Sequence, residues 1–231
     1  MAKKIRVTLL DDHQSILDGY MYRLGKVKQI EVVAAIRFGN DLEPSLKEHP
    51  TDVLLLDISA PMSADDPTPF PVQHEIAKLR HDCPEMVILV ISMYTESAMI
   101  RAVMEAGANG YILKDDQKTI EDLGGIILSV AEGGIYISER VQRHLVEKGD
   151  QPGGLSPRQL EALSLAASYP NSTTAELAYW MGIANSSIRN LLSSAYLKLG
   201  VGTRAAAISK ARQLGILPED KVPVPGRREP K

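Results

Sequence analysis

Ile5-Arg6-Val7-Thr8-Leu9-Leu10-Asp11-Asp12-His13 is a short, mostly apolar run that stops on two carboxylates, and the same event recurs down the chain. Val53-Leu54-Leu55-Leu56 stops on Asp57, Val87-Ile88-Leu89-Val90-Ile91 stops on Ser92, and Tyr111-Ile112-Leu113 stops on Lys114. Runs of this length read as buried strands, and residues 31–36 add another. Segments with helical spacing lie after them, at 14–25, 41–49, 72–81, 96–106 and 120–132. In the fourth of these, Ile100, Val103 and Met104 form an apolar stripe. This alternation predicts a parallel sheet with helices on both faces. A parallel sheet gathers its strand ends along one edge. Three carboxylates, a hydroxyl and an ammonium are therefore expected in one site, suited to a hard cation and a phosphoryl group.

The chain has 231 residues, 44% of them apolar and 24% charged, which is ample for a packed core and suggests two domains. Its net charge is −3, unevenly spread: residues 1–154 hold 16 Lys and Arg against 24 Asp and Glu, and residues 155–231 hold 10 against 5. An acidic first half and a basic second half assign any polyanion to the C-terminal part. The one cysteine, Cys83, excludes an internal disulfide and a cysteine-rich zinc site. No apolar stretch reaches the roughly 20 residues that span a bilayer. The run after Met1-Ala2-Lys3-Lys4 is too short for a signal peptide, so a cytoplasmic location without membrane contact is expected.

Residues 1–133 are expected to form the first domain, its last helix closed by Gly133-Gly134. Residues 134–154 are the connection: a short helix over 138–148 with Ser138 as N-cap, then a flexible Asp150-Gln151-Pro152-Gly153-Gly154 linker. Residues 155–217 read as four helices. Ser156 caps the first, with Pro157 at its first position. Thr173 or Thr174 opens the second, Asn185 or Ser186 the third, and Thr203 the fourth. The tail, 218–231, is rich in proline and charge and is expected to be disordered. Within the first domain, four prolines and an acidic pair in Pro61-Met62-Ser63-Ala64-Asp65-Asp66-Pro67-Thr68-Pro69-Phe70-Pro71 predict an irregular, exposed loop beside the carboxylates.

A carboxylate at a strand end is by itself most simply a solvated loop residue. The combination carries the meaning. Asp12 and Asp57 can offer oxygen ligands to Mg²⁺, with water and a backbone carbonyl completing the shell. Asp57 can attack phosphorus, because carboxylates form aspartyl-phosphate intermediates and a metal neutralises the accumulating charge. Ser92 can donate to one phosphoryl oxygen and Lys114 can pair with another. Tyr111 alone reads as a strand aromatic packed under a helix, and His13 as a helix-start residue.

Asp11-Asp12-His13, Asp57 with Pro61 four residues later, Ser92-Met93 and Tyr111-Ile112-Leu113-Lys114-Asp115 together resemble the receiver domain of a bacterial two-component response regulator. The resemblance spans the first domain in order and implies an α/β, flavodoxin-like, doubly wound parallel sheet. It implies that Asp57 accepts a phosphoryl group from a phosphohistidine on a sensor histidine kinase. It further implies that Asp11, Asp12, Asp57 and the carbonyl of Ser59 hold Mg²⁺, that Ser92 and Lys114 bind the phosphoryl group, and that Tyr111 is an aromatic switch. Ala60 stands where methionine is usual, and the proline-rich loop is longer than the common pattern. That loop is either a tolerated insertion or a modifier of kinase choice or phosphoryl lifetime.

In the C-terminal part, Ile188, Leu192, Ala195 and Leu199 recur at helical spacing and predict a buried stripe, leaving Ser186, Arg189, Asn190 and Ser193 on another face. Arg can bind guanine and Asn adenine through paired hydrogen bonds, and Ser can bind phosphate or a base edge. A merely solvated face explains the same residues. Leu155-Ser156-Pro157-Arg158-Gln159-Leu160-Glu161, Ala175-Glu176-Leu177-Ala178, Met181-Gly182-Ile183 and Leu197-Lys198-Leu199-Gly200-Val201 resemble a four-helix LuxR-type helix-turn-helix. Joined to a receiver, this is the layout of the NarL/FixJ class. The resemblance implies that helix 184–199 reads double-stranded DNA, with Ser186, Arg189, Asn190, Ser193 and Lys198 as candidate contacts. The helix carries fewer basic residues than is usual. Trp180 stands where a basic residue is common, and Tyr169-Pro170-Asn171-Ser172 lengthens the first turn. Arg204, Lys210, Arg212, Arg227 and Arg228 are candidate compensating phosphate contacts.

The expected function is therefore that of a non-enzymatic switch: phosphorylation at Asp57 changes the surface of the fourth helix and fifth strand, favours a homodimer and controls DNA binding. One alternative is a regulator acting mainly through protein contacts with weakened DNA binding. Another is an aspartyl-phosphate phosphatase, disfavoured because Ser59 occupies the place where such hydrolases often carry a general acid.

Overall fold

The computed structural model describes residues 3–142 and 154–219. Most of the expected connecting helix, the linker up to residue 153 and the tail from residue 220 lie outside them. Six strands form one parallel sheet in the order β2-β1-β3-β4-β5-β6. They are β1 (Ile5–Leu10), β2 (Ile30–Ile36), β3 (Val53–Asp57), β4 (Val87–Ser92), β5 (Gly110–Leu113) and β6 (Tyr136–Ile137). Helices α1 (Gln14–Leu24), α2 (Leu42–Glu48), α3 (Val72–Asp82), α4 (Ser97–Glu105), α5 (Gln117–Glu121) and α6 (Leu123–Ala131) cover the faces. The central strands are apolar on both sides because both sides are covered, which is why they read as continuous runs rather than alternating ones.

Two details depart from the sequence reading. The segment expected as one helix over 120–132 is two, broken at Asp122, where ψ is 17°. Asp116 starts α5 by accepting from the Thr119 N–H, and Gly125 lies so close to the Asp122 carboxylate that a Cβ would approach its oxygen to 2.5 Å. Strand β6 lies in the segment expected to be connection only; it pairs two residues with β5.

The proline-rich segment departs further. It is a folded hairpin, and only its tip, residues 64–66, is exposed. Pro61 and Pro69 face each other in an antiparallel bridge. The donors that close it are their neighbours: Met62 N–H to the Thr68 carbonyl and Phe70 N–H to the Ala60 carbonyl, both 2.9 Å. The prolines therefore occupy positions that need no N–H. At the tip, Ser63 Oγ accepts from Asp66 N–H and Asp66 Oδ1 from Thr68 N–H, both 3.0 Å, which is side-chain turn chemistry.

The second domain consists of α7 (Pro157–Ser168), α8 (Thr174–Trp180), α9 (Asn185–Leu199) and α10 (Arg204–Gln213). Ser156 and Thr173 each form a reciprocal capping box, with Gln159 and Glu176. Thr203 caps α10 through Ala206 N–H. Asn185 opens α9, as the sequence suggests, with Ala184 as an N-cap that makes no side-chain bond. Ile188, Leu192, Ala195 and Leu199 are buried as the spacing predicts. Helix α7 is buried nearly all round: Ala162, Leu165 and Ala166 pack with α8 and α9, while Leu160 and Leu163 belong to a core shared with α3, α4 and the hairpin.

Candidate functional site

Asp11 follows β1 and Asp57 ends β3, adjacent strands in the sheet. Register places Asp57 beside Ile91 and Ser92 beside Leu113, so Ser92 and Lys114 reach the same edge. This is the crevice at the carboxyl ends where strand order reverses between β1 and β3, the general ligand position of doubly wound sheets.

Lys114 joins the site. Its ammonium lies 2.6 Å from Asp11 and 3.0 Å from Asp57. The three side chains are 9%, 3% and 2% exposed, so this is a buried triad with one positive and two negative groups. Burial pushes the Asp57 carboxyl upward, Lys114 opposes that, and Asp11 adds to it. Burial alone would lower the Lys114 ammonium, but the two carboxylates outweigh it and hold the lysine firmly protonated. Ser59 N–H donates to Asp57 Oδ1 at 3.1 Å and His13 N–H to Asp11 Oδ1 at 3.0 Å, orienting both carboxylates.

Asp12 is partly buried and its backbone carbonyl accepts from Arg37 Nε at 3.1 Å. Oxygens of Asp11 and Asp12 and a nitrogen of His13 lie within 4.8 Å of one another. His13 is the N-cap position of α1, as its place in the sequence suggests, and its Nδ1 is 3.1 Å from Asp12. A cluster dominated by carboxylates and carrying residual negative charge fits a hard, oxygen-seeking divalent cation such as Mg²⁺.

Ser92 is fully buried and its Oγ accepts from Tyr94 N–H at 3.1 Å. Tyr111 is fully buried, and its hydroxyl donates to the Tyr94 carbonyl at 2.8 Å. Burial pushes its phenol far above the ordinary range, so it remains a donor at any working pH. Tyr94 thus touches both residues through its backbone. Burial also raises the Tyr94 phenol, against hydrogen bonds from Glu219 N–H and the Ser59 side chain. No motif in the sequence marks Tyr94 or Glu219. Tyr20, beneath the site, is raised by burial and then by Asp11 and Asp57.

On α9, Ser186, Arg189, Asn190, Ser193 and Lys198 are all exposed. Lys198 Nζ donates to the Gly154 carbonyl at 2.9 Å, so its charge is tied to the chain entering α7. Arg204 contradicts its expected place as a phosphate contact. Its guanidinium donates to the carbonyls of Ser172, Ala166 and Tyr169 at 2.6, 2.8 and 2.7 Å, and closes the lengthened turn. Trp180 packs against Tyr169 of that turn in a tilted pair, ring centroids 4.6 Å apart and planes at 49°. The aromatic side chain in the usual basic position thus packs the extra turn residues.

Residues 7–123 match the family described as the response regulator receiver domain. A transcriptional regulatory protein, MctR of Rhizobium johnstonii, is 30% identical over 93% of this chain and 96% of its own length. The RcsB response regulator of Salmonella typhimurium superposes with a TM-score of 0.55 at 25% identity, covering 91% of this chain and 99% of RcsB. A complex of RcsB with DNA gives a TM-score of 0.58 at 25% identity, covering 92% of this chain and 100% of that one. With the strand-end triad, the sheet order and these full-length likenesses together, the chain belongs to the response regulator family, through a receiver domain followed by a helical domain like that of RcsB.

Proposed function

We propose that this chain is a transcription regulator switched by phosphorylation of Asp57, with residues 1–133 as the receiver and residues 155–217 as the DNA-binding domain. The single observation that supports it most is the buried Lys114 bridging Asp11 and Asp57 at 2.6 and 3.0 Å, beside Ser92 at the sheet's switch point. A phosphohistidine on a sensor kinase is the donor class that a receiver implies. Its N–P bond breaks as an Asp57 oxygen bonds to phosphorus. Lys114 then turns from the Asp57 carboxylate to a phosphoryl oxygen, and Ser92 donates to another. Asp11, Asp12 and Asp57, with the Ser59 carbonyl, would hold Mg²⁺, which when bound supplies charge neutralisation for transfer between two anions.

Turning Ser92 Oγ toward the phosphoryl group, to which it donates, draws it away from Tyr94 N–H, which frees the Tyr94 backbone and with it the Tyr111 hydroxyl's partner. Helix α4 follows directly and packs on α7, so the change reaches the second domain. A dimer would set two α9 helices on half-sites about one DNA turn apart, with Ser186, Arg189, Asn190 and Ser193 toward the major groove. Relatives named as transcriptional regulators and an RcsB–DNA complex support this reading. Selection of DNA sequences by the phosphorylated protein at low and moderate salt tests it. Enrichment of a repeated half-site supports it, and enrichment at neither salt contradicts it.

The engagement of Lys198 and Arg204 within the domain favours a second reading: a regulator with weak DNA affinity that acts through protein contacts. It predicts a shallow salt dependence, because few phosphates are neutralised.

A further inference from the structure

The 61–70 hairpin is not a surface ornament. One of its flanks is fixed to the receiver: Gly39 N–H donates to the Pro61 carbonyl at 2.8 Å and Asn40 N–H to the Met62 carbonyl at 3.0 Å. The Phe70 ring lies so close over Gly39 that a Cβ there would fall 2.1 Å from it. The other flank meets the second domain. Ser168 Oγ, at the end of α7, donates to the Pro69 carbonyl at 2.6 Å in a buried bond across 99 residues of chain. Met62 and Phe70 share one buried core with Leu160, Leu163, Leu199 and Leu217. Beside it, His74 of α3 faces Glu161 of α7 at 3.7 Å, and Glu161 is held from its own helix by Arg158 at 2.8 Å.

The hairpin starts at Ala60, three residues beyond Asp57, whose Oδ1 already accepts from Ser59 N–H. On the far side of the interface the second domain reaches the same rim again: Leu217 is buried and Glu219 N–H donates to the Tyr94 hydroxyl at 3.3 Å. Helix α4, whose surface with β5 is expected to change on phosphorylation, is meanwhile covered by α7. Met99 and Ala102 are accordingly buried with the predicted Ile100 and Val103, while Met104, the third residue of the predicted stripe, is only half-buried.

We infer that the proline-rich hairpin is an intramolecular docking element: it latches α7 of the second domain onto the rim of the Asp57 site and restrains that domain until the rim rearranges. The latch deepens the reading of Asp57 as a phosphorylation switch and rests on it. The restraint does not act by hiding Arg189, which is exposed. It acts by fixing the second domain against the receiver, so that two copies cannot bring their α9 helices to adjacent half-sites while α4 is covered.

Two variants test it in the full-length protein, with far-UV circular dichroism to confirm folding. In the first, residues 62–69 are exchanged for a short Gly-Ser turn. In the second, Ser168→Arg places a charge in the buried contact while leaving the receiver untouched, and it decides the matter if the exchanged loop fails to fold. Small-angle X-ray scattering of unphosphorylated protein without DNA is expected to show a larger radius of gyration for either variant. On DNA selected with phosphorylated parent, each unphosphorylated variant is expected to bind on the order of tenfold more tightly than unphosphorylated parent, in the usual range of intersite coupling. An unchanged radius of gyration in a folded Ser168→Arg protein overturns the latch, as does an unchanged affinity when the parent itself responds to phosphorylation. Failure of the phosphorylated parent to bind any DNA would instead defeat the reading of the switch. The scattering result still decides the latch in that case.

Discussion

Replacing Lys114 by methionine is the perturbation whose size the structure fixes best. The ammonium is 9% exposed and bridges two carboxylates that are almost fully buried. Its loss leaves Asp11 and Asp57 facing each other without a counter-charge, and breaking a buried ion pair in this way costs about 3 to 5 kcal/mol. The sign with pH follows from Asp57. Burial raises its carboxyl and Lys114 is the main opposing influence, so the variant's folded-state pKa rises further above the unfolded value. The ionised form is then disfavoured in the fold, and the deficit is largest above that raised value and shrinks as pH falls and Asp57 takes up a proton. Urea unfolding followed by far-UV circular dichroism at pH 7.5 and pH 5 reads this. Adding Asp57→Asn to the Lys114→Met protein should recover most of the loss, because one of the two stranded charges is gone. A deficit below about 1 kcal/mol, or one that Asp57→Asn does not relieve, would refute the buried-triad account.

Arg204→Ala removes a guanidinium that satisfies one backbone carbonyl in the last turn of α7 and two in the turn that follows, with an expected loss of about 2 to 4 kcal/mol. Fluorescence of Trp180, the only tryptophan and a neighbour of that turn, should report an earlier urea midpoint for the second domain. Arg189→Ala should leave that midpoint in place but weaken binding to selected DNA by about 1 to 3 kcal/mol, read by fluorescence anisotropy. Arg6 holds the Asp52 carboxyl at about 2, so this pair stabilises the fold above the unfolded carboxyl pKa and its contribution disappears as pH falls toward 2. Because both partners are partly open to solvent the effect is under about 1 kcal/mol, and thermal melts of Asp52→Asn should lose that part of the acid sensitivity.

The strands that carry Asp11, Asp57, Ser92 and Lys114 were readable because each is buried on both faces and stops on a polar residue, a signal that needs no knowledge of partners. Strand β6 gives no such signal, since two residues show no periodicity. The hairpin misled in the opposite direction. Four prolines suggest irregular backbone, yet they sit where no N–H is needed, and only the pairing of Met62 with Thr68 and Phe70 with Ala60 reveals the order. Arg204 is the instructive case in the second domain. A cation at a helix start reads equally as a phosphate contact or as a donor to nearby carbonyls. The lengthened turn at Tyr169-Pro170-Asn171-Ser172, with carbonyls to satisfy, was the available clue. Tyr94 could not have been found, because its role comes from three contacts, one of them 125 residues away.

The central claim is that Asp57 is the phosphoacceptor and that its charge state sets DNA affinity. Purified parent and Asp57→Asn, each treated with a small phosphoryl donor and Mg²⁺, can be compared by intact mass and by binding to selected DNA. The account predicts one added phosphoryl group on the parent alone, accompanied by tighter binding and a higher oligomeric mass. Equal phosphorylation of both proteins, or phosphorylated parent indistinguishable from Asp57→Asn in affinity and mass, would contradict it.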